Sequence, residues 1–215
     1  MYKVAIIGCG RISHKISEGV AENNNKMELV ALCDIVEEKM FKTEETYNKK
    51  LNEKREIKKY TDYKEMIAKE KIDIAIISTE SGYHEKIGLY CLENGIHTII
   101  EKPLAMSIEG AQKLVDKAKE KGLKLAASHQ NRFNYPIQLL KKVIEEKRMG
   151  KIFNGMARIL WTRDDNYYLQ APWRGTWALD GGTLMNQCIH NIDLLNWMMD
   201  DEIDTVYAQT SNYIR

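Results

Sequence analysis

The chain contains no run of about 18 consecutive apolar residues, the length that reads as a membrane span, and Met1-Tyr2-Lys3 leads straight into an apolar strand pattern. Neither a spanning helix nor a cleaved leader is expected. An excess of one charge is also missing. The 32 Lys and Arg residues face 31 Asp and Glu, for a net charge of +1, so no strong field favours nucleic acid or an anionic membrane. Lysine-dense stretches such as Lys49-Lys50 and Lys58-Lys59 alternate with Glu and read as solvated helix faces. Cysteine is sparse, and Cys9, Cys33, Cys91 and Cys188 show no metal or redox spacing. They read as free thiols in a reducing, cytoplasmic setting. Repeats and low-complexity segments are absent. What remains is 215 residues, 44% hydrophobic and 29% charged, an ordinary composition for one large or two small domains.

Against that background one segment stands out. The apolar run Val4-Ala5-Ile6-Ile7 ends at Gly8-Cys9-Gly10-Arg11-Ile12, and a helical pattern follows. Strand, tight turn and helix N-terminus in this order form an anion site, since the free N–H groups and the positive end of the helix dipole favour phosphate. Gly8 permits the turn, and Gly10 lets a pyrophosphate approach the backbone. Ser13 stands where a third glycine is usual. A second apolar run, Leu29 to Cys33, ends at Asp34. A carboxylate at this distance from the glycines accepts from both hydroxyls of an adenosine ribose and repels a 2′-phosphate. The expected cofactor is therefore NAD. The alternative for Asp34 is a cap on the next helix.

Strand and helix patterns then alternate. Strands are predicted over residues 3–7, 28–33, 74–77, 98–100 and 124–127, with helices over 12–22, 37–52, 63–68, 85–94, 108–121 and 137–147. Near-continuous apolar strands separated by helices imply an α/β fold, a doubly wound (Rossmann) parallel sheet with right-handed crossovers. This domain is assigned to residues 1–128. After Met149-Gly150 the pattern changes. Strand-like runs at 152–161 and 203–214 flank an aromatic-rich loop and a helix that opens at Gly181-Gly182. Residues 129–215 are read as an α+β substrate and oligomerisation domain, apparently truncated because its last strand-like run reaches the chain end.

In a doubly wound sheet the site lies at the carboxyl ends of the strands. Ser78 and Thr79 end one strand and suit the nicotinamide ribose, or simply begin a loop. Glu101-Lys102-Pro103 ends another, with Lys102 aimed into the site or lying on the surface. On the later helix Asn186, His190 and Asp193 are spaced four and three apart, which makes one polar stripe. Such a stripe on an apolar helix wants partners or a ligand. No further His, Cys or carboxylate stands at metal-ligand spacing, so no metal is expected.

Together these residues resemble the Gfo/Idh/MocA family of sugar and cyclitol dehydrogenases. The resemblance is carried by Gly8-Cys9-Gly10-Arg11-Ile12, Asp34, Glu101-Lys102-Pro103, Asn131-Arg132, and Gly181-Gly182 through His190 to Asp193. It implies that Lys102 and His190 sit beside the reacting carbinol. The family commonly carries Asp four residues before the histidine, whereas this chain has Asn186. A narrower resemblance runs from Tyr167 to Trp177 and from Leu179 to Gln187, to the branch that oxidises C3 of UDP-N-acetylglucosamine or its uronic acid, where Asn at that position is familiar. On this basis Lys102, His190 and Asn186 are the catalytic candidates. Cofactor contacts fall to Gly8, Gly10, Arg11, Ile12, Asp34, Ser78, Thr79, His84, Glu101, Lys102, Trp173 and Arg174. Substrate contacts fall to Lys102, Arg132, Tyr168, Gln170, Asn186 and His190. The implied partners are a sugar or sugar-nucleotide substrate and further copies of the chain, as a dimer or tetramer through the second-domain sheet. The alternatives are an inositol or other free-sugar dehydrogenase of the same family, or a shortened NAD-binding protein without catalysis.

The Asp34 carboxylate generates one expectation directly. NAD is expected to bind far better than NADP, and Asp34→Ala to narrow that difference, as read by calorimetric titration with both cofactors. Equal affinities in the unmodified protein would refute it.

Overall fold

The computed structural model describes residues 1–211. Six strands, β1 (Tyr2–Ile7), β2 (Met27–Cys33), β3 (Lys58–Tyr60), β4 (Ile74–Ile77), β5 (His97–Glu101) and β6 (Leu125–Ser128), form one sheet in the order β3-β2-β1-β4-β5-β6. Every pairing is parallel. Five helices make the crossovers: α1 (Ser13–Glu22), α2 (Glu37–Leu51), α3 (Tyr63–Lys69), α4 (His84–Glu93) and α5 (Ile108–Lys121). The strand order reverses between β1 and β4, the switch point at which such sheets bind ligands. β3 has no counterpart among the expected strands. Its sequence is Lys-Lys-Tyr, three residues at the sheet edge, where lysines discourage pairing with another chain and no apolar run marks the strand.

Alternate residues of each strand serve opposite faces. Ala5 and Ile7 join Ala31, Cys33, Ala75 and Ile77 in one buried cluster, while Val4 and Ile6 join Leu29, Leu32, Met40 and Tyr47 in the other. Both faces are covered, which is why these strands need no polar alternation. Three of the cysteines, Cys9, Cys33 and Cys91, are buried free thiols. Burial pushes each of them up to about 12, so they stay protonated and act as small apolar side chains.

Contacts divide the chain into two units. The first joins Met1–Ser128 to a returning segment, Arg163–Gln187; the second comprises His129–Thr162 and the chain from Cys188 onward. The returning segment carries a short helix, α7 (Asp165–Leu169), capped by the Asp164 carboxylate accepting from the Tyr167 N–H at 3.0 Å. It ends in a π-helical turn, Leu184–Cys188.

The second unit holds α6 (Tyr135–Glu145) and α8 (Ile189–Met199). Lys141 of α6 is only 6% exposed, donates to the Trp197 carbonyl at 2.9 Å, and lies 5.3 Å from the Trp197 ring centroid. A buried ammonium survives here because it meets a helix C-terminal carbonyl, an aromatic face and the carboxylates of Glu145 and Asp200, at 3.9 and 3.7 Å. The strand-like runs expected over 152–161 and 203–214 differ from the structure. Residues 152–161 and 203–211 form no strand, and 212–214 lie outside the described residues. A strand exists only with a ladder partner, and neither run has one among the described residues. Among the same residues no helix is long and apolar enough to cross a membrane.

Tyr47 shows how polar atoms are settled within this core. Its side chain is fully buried, and its hydroxyl accepts from the Leu29 N–H of β2 at 3.2 Å. Tyr47→Phe would strand that buried amide, and is expected to cost about 1–3 kcal/mol of stability, measured by urea unfolding.

Candidate functional site

At the carboxyl end of β1 the chain turns through Gly8, which has φ +94. A Cβ at Gly8 would lie 2.6 Å from the backbone of Ser78 and Thr79, so only glycine allows this approach. Three bonds lock the crossing: Gly8 N–H to Cys33 O and Ser78 N–H to Ile7 O, both at 2.8 Å, and Ser78 Oγ to Gly8 O at 2.7 Å. The Ser78 hydroxyl is thus committed as a donor to the loop itself. A Cβ at Gly10, in contrast, would meet nothing within 4 Å. The loop is open there, beside the start of α1, with Ile12 at the helix cap. Ser13, in the usual third-glycine position, is buried. Its hydroxyl donates to Gly10 O at 2.8 Å and pairs with Thr43 Oγ1 of α2 at 3.0 Å. The serine therefore ties the loop to two helices instead of merely being tolerated.

Asp34 ends β2. Its carboxylate accepts the Cys9 N–H at 2.7 Å and the Val36 N–H at 2.8 Å, one on each oxygen, with Lys39 Nζ at 3.8 Å. Asp34 does not cap α2, whose N-cap is Val36 with no side-chain cap bond, but it shapes the entry to that helix, and each of its oxygens keeps lone-pair capacity for a further donor. Open space at Gly10 and a fixed carboxylate at Asp34 fit the pyrophosphate and the adenosine ribose of NAD.

Further along the strand ends, Thr79 donates to Glu80 O at 3.3 Å. His84, 1% exposed, places Nδ1 2.7 Å from Pro103 O and Nε2 3.1 Å from Thr79 O. Its ring bridges the loops after β4 and β5, and burial holds it below the usual histidine range. Glu101 closes β5. Lys102 follows, and its ammonium donates to Asn186 O at 2.6 Å and Asn186 Oδ1 at 3.0 Å. Burial holds Lys102 below the ordinary lysine value; Glu101 and Asp180 oppose that shift, and Arg174 adds to it.

The returning segment adds an aromatic and guanidinium cluster. Arg174 lies 4.3 Å from the Tyr167 ring centroid and 4.8 Å from that of Trp173, with Arg163 at 5.1 Å from Tyr167. Gln187 accepts from Arg163 at 2.8 Å and donates to the Tyr167 hydroxyl at 2.7 Å. Tyr168 packs edge-on to Tyr167 at 5.2 Å, and Gln170 accepts from Arg11 of the glycine loop.

His190 belongs to the second unit. It is 8% exposed, its Nε2 is 3.5 Å from Gln130 Nε2, and its ring lies edge-on to His129 at 5.9 Å. Arg132 holds Asp193 through two bonds, at 2.8 and 2.5 Å, and stacks 5.0 Å from Trp197. Asp193 also stands 3.6 Å from His129 Nδ1. Lys102 and Asn186 are thus brought together in the first unit, and His190, Asp193 and Arg132 share the second. Spacing gave no sign of Asp180, Arg163 or His129. The only hint was that Asp180 opens the Asp-Gly-Gly turn before the helix.

A parallel sheet with this loop and carboxylate defines an NAD-binding Rossmann domain, and residues 2–129 match the family model described as "Oxidoreductase family, NAD-binding Rossmann fold". Residues 137–215 match the GFO/IDH/MocA C-terminal domain. The chain belongs to the Gfo/Idh/MocA oxidoreductase family. It is 28% identical over 204 residues to the D-glucoside 3-dehydrogenase of Escherichia coli, covering 92% of this chain and 54% of that one. To the myo-inositol 2-dehydrogenase of Thermotoga maritima it is 23% identical over 210 residues, covering 97% and 58%. Among solved structures, the WlbA dehydrogenase of Bordetella pertussis, in complex with NADH and UDP-GlcNAcA, superposes with TM-score 0.83 at 33% identity, over 92% of this chain and 57% of that chain. The chain thus spans little more than half the length of the relatives it matches.

Open space at Gly10 sharpens its test. Gly10→Val is expected to fold as the unmodified protein does and to lose NAD binding, compared by circular dichroism and by calorimetric titration. Unchanged affinity would mean that no phosphate approaches this loop.

Proposed function

We propose that the protein oxidises a secondary alcohol of a sugar nucleotide, at C3 of UDP-N-acetylglucosamine or its uronic acid, with NAD as hydride acceptor. The observation that carries this reading is Lys102, a half-buried ammonium anchored on Asn186 at the carboxyl end of β5, in the same sheet whose β1 ends in the glycine loop. A cation fixed in this way is poised for an oxygen that gains negative charge.

Gly8, Gly10, Arg11, Ile12 and Asp34 would hold the dinucleotide at the switch point, with Ser78, Thr79, His84, Glu101, Trp173 and Arg174 shaping its nicotinamide side. Bound there, NAD would supply the hydride acceptor for the carbinol carbon. Lys102 steadies the carbinol oxygen as its proton leaves. His190 is the base that takes that proton. Asn186 orients the lysine and, through it, the hydroxyl. Arg132, Tyr168 and Gln170 complete the substrate contacts. The guanidinium groups over Tyr167 support an anionic substrate, because arginine on an aromatic face keeps N–H donors for phosphate or carboxylate. The similarity to a WlbA dehydrogenase in complex with UDP-GlcNAcA supports the same substrate class. The reading also gives copies of the chain an association surface in the second unit, where Phe153, Met156 and Tyr207 are each more than 80% exposed.

The test is a binding and turnover screen of UDP-GlcNAcA, UDP-GlcNAc, glucosides and myo-inositol with NAD present. Affinity for the UDP-sugars and NADH formation are expected; binding of free myo-inositol with none of UDP-sugars would overturn the substrate class. Lys102→Met is expected to keep NAD affinity and lose roughly 10²–10³ in rate. A near-full rate in that variant would remove Lys102 from the chemistry.

A further inference from the structure

We propose that Asp180 is a positioning residue for this site: it fixes Asn186 as the acceptor for Lys102 and provides, one amide away, a negative charge that faces the half-buried ammonium. The inference rests on the reading of Lys102 given above and concerns what holds that lysine in place.

Both oxygens that accept from Lys102, the backbone carbonyl and the side-chain Oδ1 of Asn186, are neutral. A charge lies behind them. Asp180 is 4% exposed, and its Oδ2 accepts the Gly175 N–H at 2.8 Å. Its other oxygen accepts from Asn186 Nδ2. The carboxamide of Asn186 therefore bridges an ammonium and a carboxylate. An ammonium only donates, and an ionised carboxylate only accepts. One orientation of the amide satisfies both. Turned by half a rotation, it would aim N–H at the lysine and a lone pair at the carboxylate, two repulsive contacts at half-buried groups. Asp180 thus selects the orientation that Lys102 needs. Its own geometry is set by the turn that carries it, through the Gly175 N–H.

The charge matters as well as the orientation. Position 186 has no charge of its own, and burial works against the ammonium. The groups facing Lys102 are Glu101 and Asp180, which favour its charged form, and Arg174, which disfavours it. Asp180 is the one of these that is also joined to the lysine by hydrogen bonds, through Asn186.

The test follows the Lys102 ammonium by NMR in the 15N-lysine-labelled chain, with the signal assigned through Lys102→Arg and no sugar added. Asp180→Asn, nearly the same in shape, is expected to lower the Lys102 midpoint by about one unit. The double variant Asp180→Asn/Asn186→Asp, which moves the carboxylate into direct reach of the ammonium, is expected to restore it. A midpoint unchanged in Asp180→Asn, or a double variant that titrates like the single one with the sheet amides intact, would overturn the proposal. A second measurement needs no variant. In the unmodified protein the Asn186 side-chain amide hydrogens are expected to exchange with solvent at least about tenfold more slowly than those of exposed asparagines; equal rates would also overturn it. Both readouts are separate from turnover. A shifted Lys102 in a chain that oxidises no alcohol would sink the functional reading alone, and turnover with an unshifted Lys102 would sink this inference alone.

Discussion

The close crossing of Gly8 over the end of β4 is the constraint on which the rest of the site depends. With no Cβ at Gly8, the backbone of β1 comes against Ser78 and Thr79, and three hydrogen bonds hold the ends of β1, β2 and β4 at one level. Asp34 can then reach back to the Cys9 N–H, and the loop after β4 lies where His84 can span it to Pro103. A side chain at this position would separate strands whose register aligns Ile7 with both Cys33 and Ile77. The loops would lose their common origin along with that alignment. The open glycine loop, the Asp34 bond to Cys9 and the His84 bridge to Pro103 share that one missing methyl group as their origin.

Much of this was legible from local pattern. The apolar runs within β1, β2, β4 and β5 name themselves, because strands covered on both faces keep their central residues mostly apolar. Gly8, Gly10 and Asp34 are equally local, since a turn and a strand end define them. The exceptions share a cause. β3 is three residues long and polar, and it exists because β2 offers it a ladder. Residues 152–161 have the alternation of a strand but no partner among the described residues, so the pattern alone did not make one. Periodicity reports which face a residue would show, not whether anything is there to receive it.

The site divides along the same line. Lys102 and Asn186 were identifiable as candidates from their types and neighbours, but their contact joins residues 84 positions apart. Asp180 was visible only as part of a glycine turn, because its importance arises from what stands between it and the lysine. Ser13 was expected as an imperfect glycine substitute. Instead it bonds the loop to α2 through Thr43, a role its size did not announce. The π-wound turn at Leu184–Cys188 was likewise hidden, since spacing arguments assume 3.6 residues per turn.

The first unit is assembled from two separated pieces of chain, and this bears on how it comes into being. During synthesis from the N-terminus, all six strands have been made by Ser128, while Asn186 and Asp180 do not yet exist. Domains fold as their residues emerge, so the sheet and its crossovers can close first. Lys102 meanwhile stays wetted, an ordinary ammonium at the mouth of a finished scaffold. Its cover arrives only with residues 163–187, and the Lys102 end is therefore the last part of its unit to be shielded.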